Sequence, residues 1–394
     1  MTIKRFAYKL HLWLGLLSGL IVFIVCLTGA IWALAINGWV KTDSPTEIIV
    51  PSQASPVLSP SEITAQVQDS LLGHSPNYIT YSHAAPTRIG TYGKDYNIAL
   101  SVNPYTGEIY SATDYLQNNK GDKGFDFWSF IGTGHRSLWL PWNIGRPLVN
   151  YGTLIFAITL LTGLIIWFPK SKRAAKNRFW FNWKKNSSTN RKIMDLHSVL
   201  GFYICFFLLA IAFTGMVWGI EWWSKGLYKV TTGGKDLPER QAVQSDTLKI
   251  DSLMTPELAV DCVFTKLITE NPQAYGLRIS YPDSANKAST VQATVYKSKD
   301  TYYNADYYTF DRYSLQEIKS AGPYNGKYAD ASPGDKLRRM NYEIHVGSIL
   351  GTPGRVLAFL AALFGASLPV TGAYIFIKRT RKKKKKKSRT PDLQ

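Results

Sequence analysis

The 394-residue chain is 45% hydrophobic and carries a formal charge of +19. That is length enough for several membrane spans and one or two domains outside them. Its three cysteines, Cys26, Cys205 and Cys262, form no CxxC pair, zinc-finger spacing or CxxCH covalent haem site, and GxGxxG and GxxxxGKS/T nucleotide motifs are absent.

The charge is gathered in three places. Residues 1–10 carry three Lys/Arg and no acid, residues 169–195 nine and one acid, and residues 378–394 ten and one acid. Basic segments on one side of alternating apolar runs are the positive-inside signal, not a nucleic-acid footprint. The Lys382–Lys387 run reads as a solvated tail against anionic membrane lipid.

In chain order, residues 1–40 hold the first span, with its N-terminus inside. Its apolar core exceeds the about 7–15 residues of a signal peptide, and a copy of it recurs within the chain. Residues 41–134 are polar and predict a small α+β domain. Pro45, Pro51, Pro56 and Pro60 mark a loop, and a short helix follows over Ser61 to Leu72, with Ser59 or Ser61 as N-cap. Alternating strands come next, with a hairpin at Asn103-Pro104-Tyr105-Thr106-Gly107. Residues 135–169 are the second span, 170–195 a basic inside loop and 196–223 the third span. Residues 224–344 are a second outside domain with the same ingredients, 345–378 the fourth span and 379–394 the basic tail. The fold class expected is membrane α-helical, with four transmembrane helices from a tandem duplication and two α+β domains outside.

The duplication is visible in the spans. His11, Gly15, Thr28, Gly29 and Trp32 recur 186 residues later as His197, Gly201, Thr214, Gly215 and Trp218. The even spans also repeat: His135 precedes Gly145-Arg146 and Thr162-Gly163, and His345 precedes Gly354-Arg355 and Thr371-Gly372. Topology then pairs His11 with His197 near the inner face and His135 with His345 near the outer one. Two histidines per side, one from each repeat, is what a bis-histidine haem requires. Gly15 and Gly201 lie one turn beyond their histidines, on the same helix face, where a missing side chain leaves room for a flat macrocycle. Arg146 and Arg355 suit a propionate or snorkel to headgroups. The Thr-Gly pairs read as close helix packing, and Trp32 and Trp218 as an interfacial aromatic belt. His74 and His83 read as surface residues. Two histidines per side fall short of a zinc site, and the reading that no acid lies inside a span argues against a cation path.

These residues resemble the PepSY-associated transmembrane family, also called iron-regulated membrane proteins, which includes bacterial inner-membrane siderophore reductases. The resemblance rests on the LHxxxG starts and Thr-Gly-x-x-Trp ends of the odd spans, on the His…Gly-Arg…Thr-Gly order of the even ones, and on the Asn-Pro-Tyr-Thr-Gly-Glu hairpin of a PepSY module. The segment Asp311-Arg312-Tyr313-Ser314 departs from that hairpin, with one residue inserted. The resemblance implies periplasmic PepSY-like domains, cytoplasmic termini and two b-type haems. It further implies a ferric-siderophore reductase fed by a cytoplasmic or quinol donor. A protease-binding PepSY regulator and a metal transporter are the rival readings.

Overall fold

The computed structural model describes residues 2–40, 48–51, 53, 55–114, 126–169, 171, 178–181, 183–239, 243–248 and 253–387. Pro45, most of the basic 170–177 stretch and the chain beyond Lys387 lie outside them. In chain order the elements are α1 (Ile3–Ile36), α2 (Pro60–Val67), β1 (Tyr78–Ser82), β2 (Thr87–Tyr92), β3 (Asn97–Val102), β4 (Ile109–Asp114), α3 (Phe127–Ser137), α4 (Trp142–Trp167), α5 (Thr189–Val217), α6 (Glu221–Thr231), α7 (Pro256–Glu270), β5 (Gly276–Ser280), β6 (Val291–Tyr296), β7 (Asp306–Phe310), α8 (Pro333–Arg339), α9 (Asn341–Val346) and α10 (Gly351–Lys387). The chain divides into a helical unit (residues 1–42, 125–226 and 341–394) and a sheet unit (residues 43–124 and 227–340).

In the helical unit, α1, α4, α5 and the Ser348–Lys382 stretch that includes most of α10 are long and apolar enough to cross a membrane. Large apolar side chains such as Trp13, Leu17 and Leu20 point outward unburied, as a lipid-facing surface requires. α1 packs on α4 and α10, and α5 packs on the same two helices. The centre is an apolar cluster that includes Val22, Phe156, Leu160, Cys205, Leu208 and Leu368.

Two boundaries differ from expectation. The third helix begins at Thr189, because Ser188 caps it by accepting from the Arg191 N–H; Asp195 therefore lies inside the span. His135 and His345 sit not on the spans but on separate short helices, α3 and α9. The corners have a physical cause. Leu138 and Trp139 take left-handed φ of 55° and 58°, and Gly347 takes 79°, so neither helix runs on into the next.

The sheet unit corrects the expectation of two separate outside domains. The strands form one antiparallel sheet in the order β4-β3-β2-β1-β5-β6-β7. β1 and β5 join the two chain segments, with Ile79 opposite Ile279. Each helix starts on a capped turn: Ser59 and Glu62 close a capping box on α2, and Thr255 caps α7. α2 and α7 pack against each other, and Ile63, Val67, Val263 and Leu267 share one core with Ile79, Ile89, Leu100, Ile279, Val291 and Phe310. The two hairpins are the same turn without an insertion. Asn103 Oδ1 accepts from the N–H groups of Tyr105 and Thr106, and Asp311 Oδ1 from those of Tyr313 and Ser314. Gly107 and Leu315 both take the left-handed position, at φ 72° and 57°. Desolvation opposes ionisation of Asp311, but donors from Ser314, Asp246 and Tyr313 hold its carboxyl below the usual range.

Because the seam is a shared core, Ile79→Ala should cost about 2–5 kcal/mol and release both segments together. Hydrogen exchange should quicken in β6 as well as in β2. Quickening confined to the 43–124 segment would show two independent folds.

Candidate metal-ligand pairs

The four helix-end histidines meet in the pairs that topology predicts. The His11 and His197 rings are 6.3 Å apart between centroids, with planes at 83°; those of His135 and His345 are 6.4 Å apart at 60°. The first pair gathers at one end of the bundle, where α1 and α5 begin. The second lies at the other end, where α3 and α9 reach back against the C-terminal parts of α1 and α5.

Each ring is seated on a Thr-Gly pair of another helix. His11 rests on Thr162-Gly163 of α4, His197 on Thr371-Gly372 of α10, His135 on Thr28-Gly29 of α1 and His345 on Thr214-Gly215 of α5. A Cβ added to the glycine would lie 3.1 Å from His11 Cε1, 3.4 Å from His197 Cε1, 2.9 Å from His135 Cε1 and 3.2 Å from His345 Cε1. These glycines therefore admit an imidazole edge, which is more specific than the helix packing expected of them.

The same seat fixes the tautomer. His11 Nδ1 lies 2.9 Å from the Thr159 carbonyl oxygen, His135 Nδ1 2.9 Å from that of Val25, and His345 Nδ1 3.0 Å from that of Ile211. A carbonyl only accepts, so Nδ1 carries the proton and donates it. His197 Nδ1 donates to the Thr371 hydroxyl at 2.8 Å. In the neutral ring Nε2 then holds the lone pair, and among the described residues no hydrogen bond uses any of these four Nε2 atoms. His197 also stands in a π-helical turn, Leu196–Leu200, a distortion frequent at functional sites.

The other predicted residues fall around the pairs. A Cβ on Gly15 or Gly201 would meet only Thr159 Cγ2 at 3.6 Å or Leu368 Cδ2 at 3.5 Å, so packing alone does not require glycine there. Gly145 and Gly354 have a different task. A Cβ on either would overlap a carbonyl oxygen, of Ser137 or Gly347 respectively. Those carbonyls stand two residues after His135 and His345, so the Gly-Arg motif locks the short histidine helices onto the spans. Arg146 and Arg355 do not share one environment: the Arg146 guanidinium lies 5.3 Å over the Trp142 ring, and Arg355 donates to Asn37 Oδ1 at 3.3 Å.

Trp32 and Trp218 are more than belt residues. They meet the His135 and His345 rings edge-on at 5.7 and 5.0 Å. Buried Asn341, which the sequence reading passed over, ties α9 to α5 by donating to the Thr214 carbonyl at 3.2 Å. Asp195 does fall inside a span, but it accepts from Arg191 at 2.8 Å and from the Trp183 indole at 3.2 Å, so it is bound in structure. Among the described residues no three His, Cys, Asp or Glu side chains gather into one metal group. His74 stacks on Tyr96 at 3.7 Å in the sheet unit, and His83 is exposed there.

A family model for the PepSY-associated TM region matches residues 8–379. The chain belongs to that family. Comparison with curated proteins gives no match. Membership in the PepSY-associated TM family agrees with four membrane-crossing helices and a distinct sheet unit. The match spans nearly all of both, so the histidine-bearing helices lie within the family's own region.

The seats can be tested directly. Gly29→Ala and Gly163→Ala should each overpack a ring and lower stability in detergent by about 1–3 kcal/mol. Gly226→Ala, inside a helix, adds a Cβ that meets nothing within 4 Å and should hold the melting temperature or raise it slightly. Equal melting temperatures for all three would contradict the seating.

Proposed function

We propose that this PepSY-associated TM protein is a di-haem b-type oxidoreductase of the bacterial inner membrane. It would pass electrons from the cytoplasmic side to ferric iron in the periplasm, with a ferric siderophore as substrate class and release of Fe(II) as the outcome. The observation that carries this is the matched spacing of the two histidine pairs. A metal bonded to both Nε2 atoms at about 2 Å each, with about 1 Å from each Nε2 to its ring centre, would need a centroid separation of about 6 Å. The separations in the structure are 6.3 and 6.4 Å. Four neutral rings with free Nε2 lone pairs are the donor set such a group takes.

His11 and His197 would hold the haem nearer the cytoplasm, and His135 and His345 the one nearer the periplasm. When bound, haem supplies a one-electron Fe(III)/Fe(II) couple. The chain supplies ligation, orientation and a dry, apolar surround. Gly15 and Gly201 keep a helix face clear of side chains beside the first pair. Arg146 and Arg355 stand at the other end of the bundle, where a guanidinium can pair with a propionate. The orientation, with both termini in the cytoplasm and the sheet unit in the periplasm, is supported by the basic segments at 1–10, 169–195 and 378–394 through the positive-inside rule. The equal offsets of the histidine and Thr-Gly motifs support origin by tandem duplication. The electron donor is a cytoplasmic reductant or a membrane quinol.

The apolar centre of the bundle argues against the transporter reading, because a cation path needs polar groups through the middle. A purely regulatory, protease-binding role leaves four tautomer-fixed histidines without a task.

Protein purified from haem-sufficient cells should show a Soret band, a reducible α-band and two haems per chain. His11→Ala or His197→Ala should remove one haem, and His135→Ala or His345→Ala the other. Full retention in all four variants would sink the assignment.

A further inference from the structure

The four threonines of the Thr-Gly seats share a geometry that helix packing does not demand. Each hydroxyl is pinned by its own helix. Thr28 Oγ1 donates to the Ile24 carbonyl at 2.6 Å, with that of Val25 at 3.2 Å. Thr162 donates to Ile158 at 3.0 Å and Thr159 at 2.8 Å. Thr214 donates to Ala210 at 2.7 Å and Ile211 at 3.0 Å, and Thr371 to Ser367 at 2.9 Å and Leu368 at 3.1 Å. With its proton so committed, the oxygen can only accept toward the ring. Thr371 accepts from His197 Nδ1 at 2.8 Å; the His345 Nδ1–H is shared between Thr214 Oγ1 at 3.0 Å and the Ile211 carbonyl at 3.0 Å; and Thr162 stands 3.4 Å from His11 Nδ1, beside its main acceptor, the Thr159 carbonyl at 2.9 Å. At His135 the contact is indirect: the Val25 carbonyl that receives its Nδ1–H also faces the Thr28 hydroxyl.

We infer that Thr28, Thr162, Thr214 and Thr371 are positioning residues that set the electron richness of the four histidine ligands, each acting on a ring carried by a different helix. The inference rests on the haem reading above. An Nδ1–H that donates to oxygen gives its ring partial imidazolate character and makes Nε2 a stronger donor, which favours the ferric state. The assignment crosses over along the chain. Thr28 shares α1 with His11 but serves His135, and Thr214 shares α5 with His197 but serves His345. Threonine and histidine on one span therefore belong to different haems.

The test is a potentiometric titration of the detergent-solubilised holoprotein carrying each threonine as valine, a near-isostere without the hydroxyl, and as serine, which keeps it. Thr214→Val should raise one midpoint and leave the other, and Thr371→Val should raise the second alone. Thr28→Val should move the same midpoint as Thr214→Val, and Thr162→Val the same as Thr371→Val. Each serine variant should hold the wild-type value. If a valine variant loses its haem, the serine variant of that position decides, and a serine midpoint displaced from wild type would count against the inference. Two wild-type midpoints unmoved by the valine variants would overturn this inference alone. So would a Thr28→Val shift in the haem that His11→Ala removes. A wild-type protein with no haem midpoint would overturn the haem reading and this inference with it.

Discussion

The helical unit depends on one contact made four times: an imidazole Nδ1–H donating into an oxygen of a neighbouring helix, at a glycine that lets the ring come close. In a membrane a polar ring without a partner costs several kcal/mol, so each histidine is held only where a helix offers it an acceptor. Helical carbonyls are normally used up within the helix, yet each has a second lone pair. The threonine hydroxyl of the same turn donates toward its own helix's carbonyls, and at His197 and His345 its oxygen also receives the imidazole N–H, so ring, hydroxyl and helix form one shared arrangement. The outcome is a ring of fixed tautomer and fixed place.

The same contact explains the bundle. Each seat ties a histidine-bearing helix to a different span: α1 to α4, α5 to α10, α3 to α1 and α9 to α5. Packing of α1 and α5 on α4 and α10 brings the rings together two by two. On α1, His11 and Thr28 are 17 residues apart, about 25 Å at the helical rise of 1.5 Å per residue. One helix thus carries a paired histidine near one end and a seat near the other. The apolar cluster of Val22, Phe156, Leu208 and their neighbours fills the interval between.

Much of this was legible in the sequence. Span number, the pairing of His11 with His197 and of His135 with His345, and the Asn103 hairpin all follow from periodicity, offset and turn chemistry. The seats did not follow. The Thr-Gly repeat was visible, but which helix neighbours which is a tertiary fact, and without it small residues read as general packing. The single sheet was hidden for a similar reason: the pairing of β1 with β5 joins strands almost two hundred residues apart, and no local pattern announces it. The separate helix of His135 depends on left-handed backbone at Leu138 and Trp139, residues that ordinarily avoid it, and that of His345 on Gly347. Asp311 matched Asn103 in role once the backbone showed that no residue was inserted.

Electron paramagnetic resonance of the oxidised, purified protein, calibrated against its haem content, addresses the central claim most directly. Imidazole planes at 83° and 60° predict two low-spin ferric centres, the more nearly perpendicular pair giving a highly anisotropic signal, at two haems per chain. A protein without haem, or one whose haem is high-spin with a single protein ligand, would contradict the paired-histidine account.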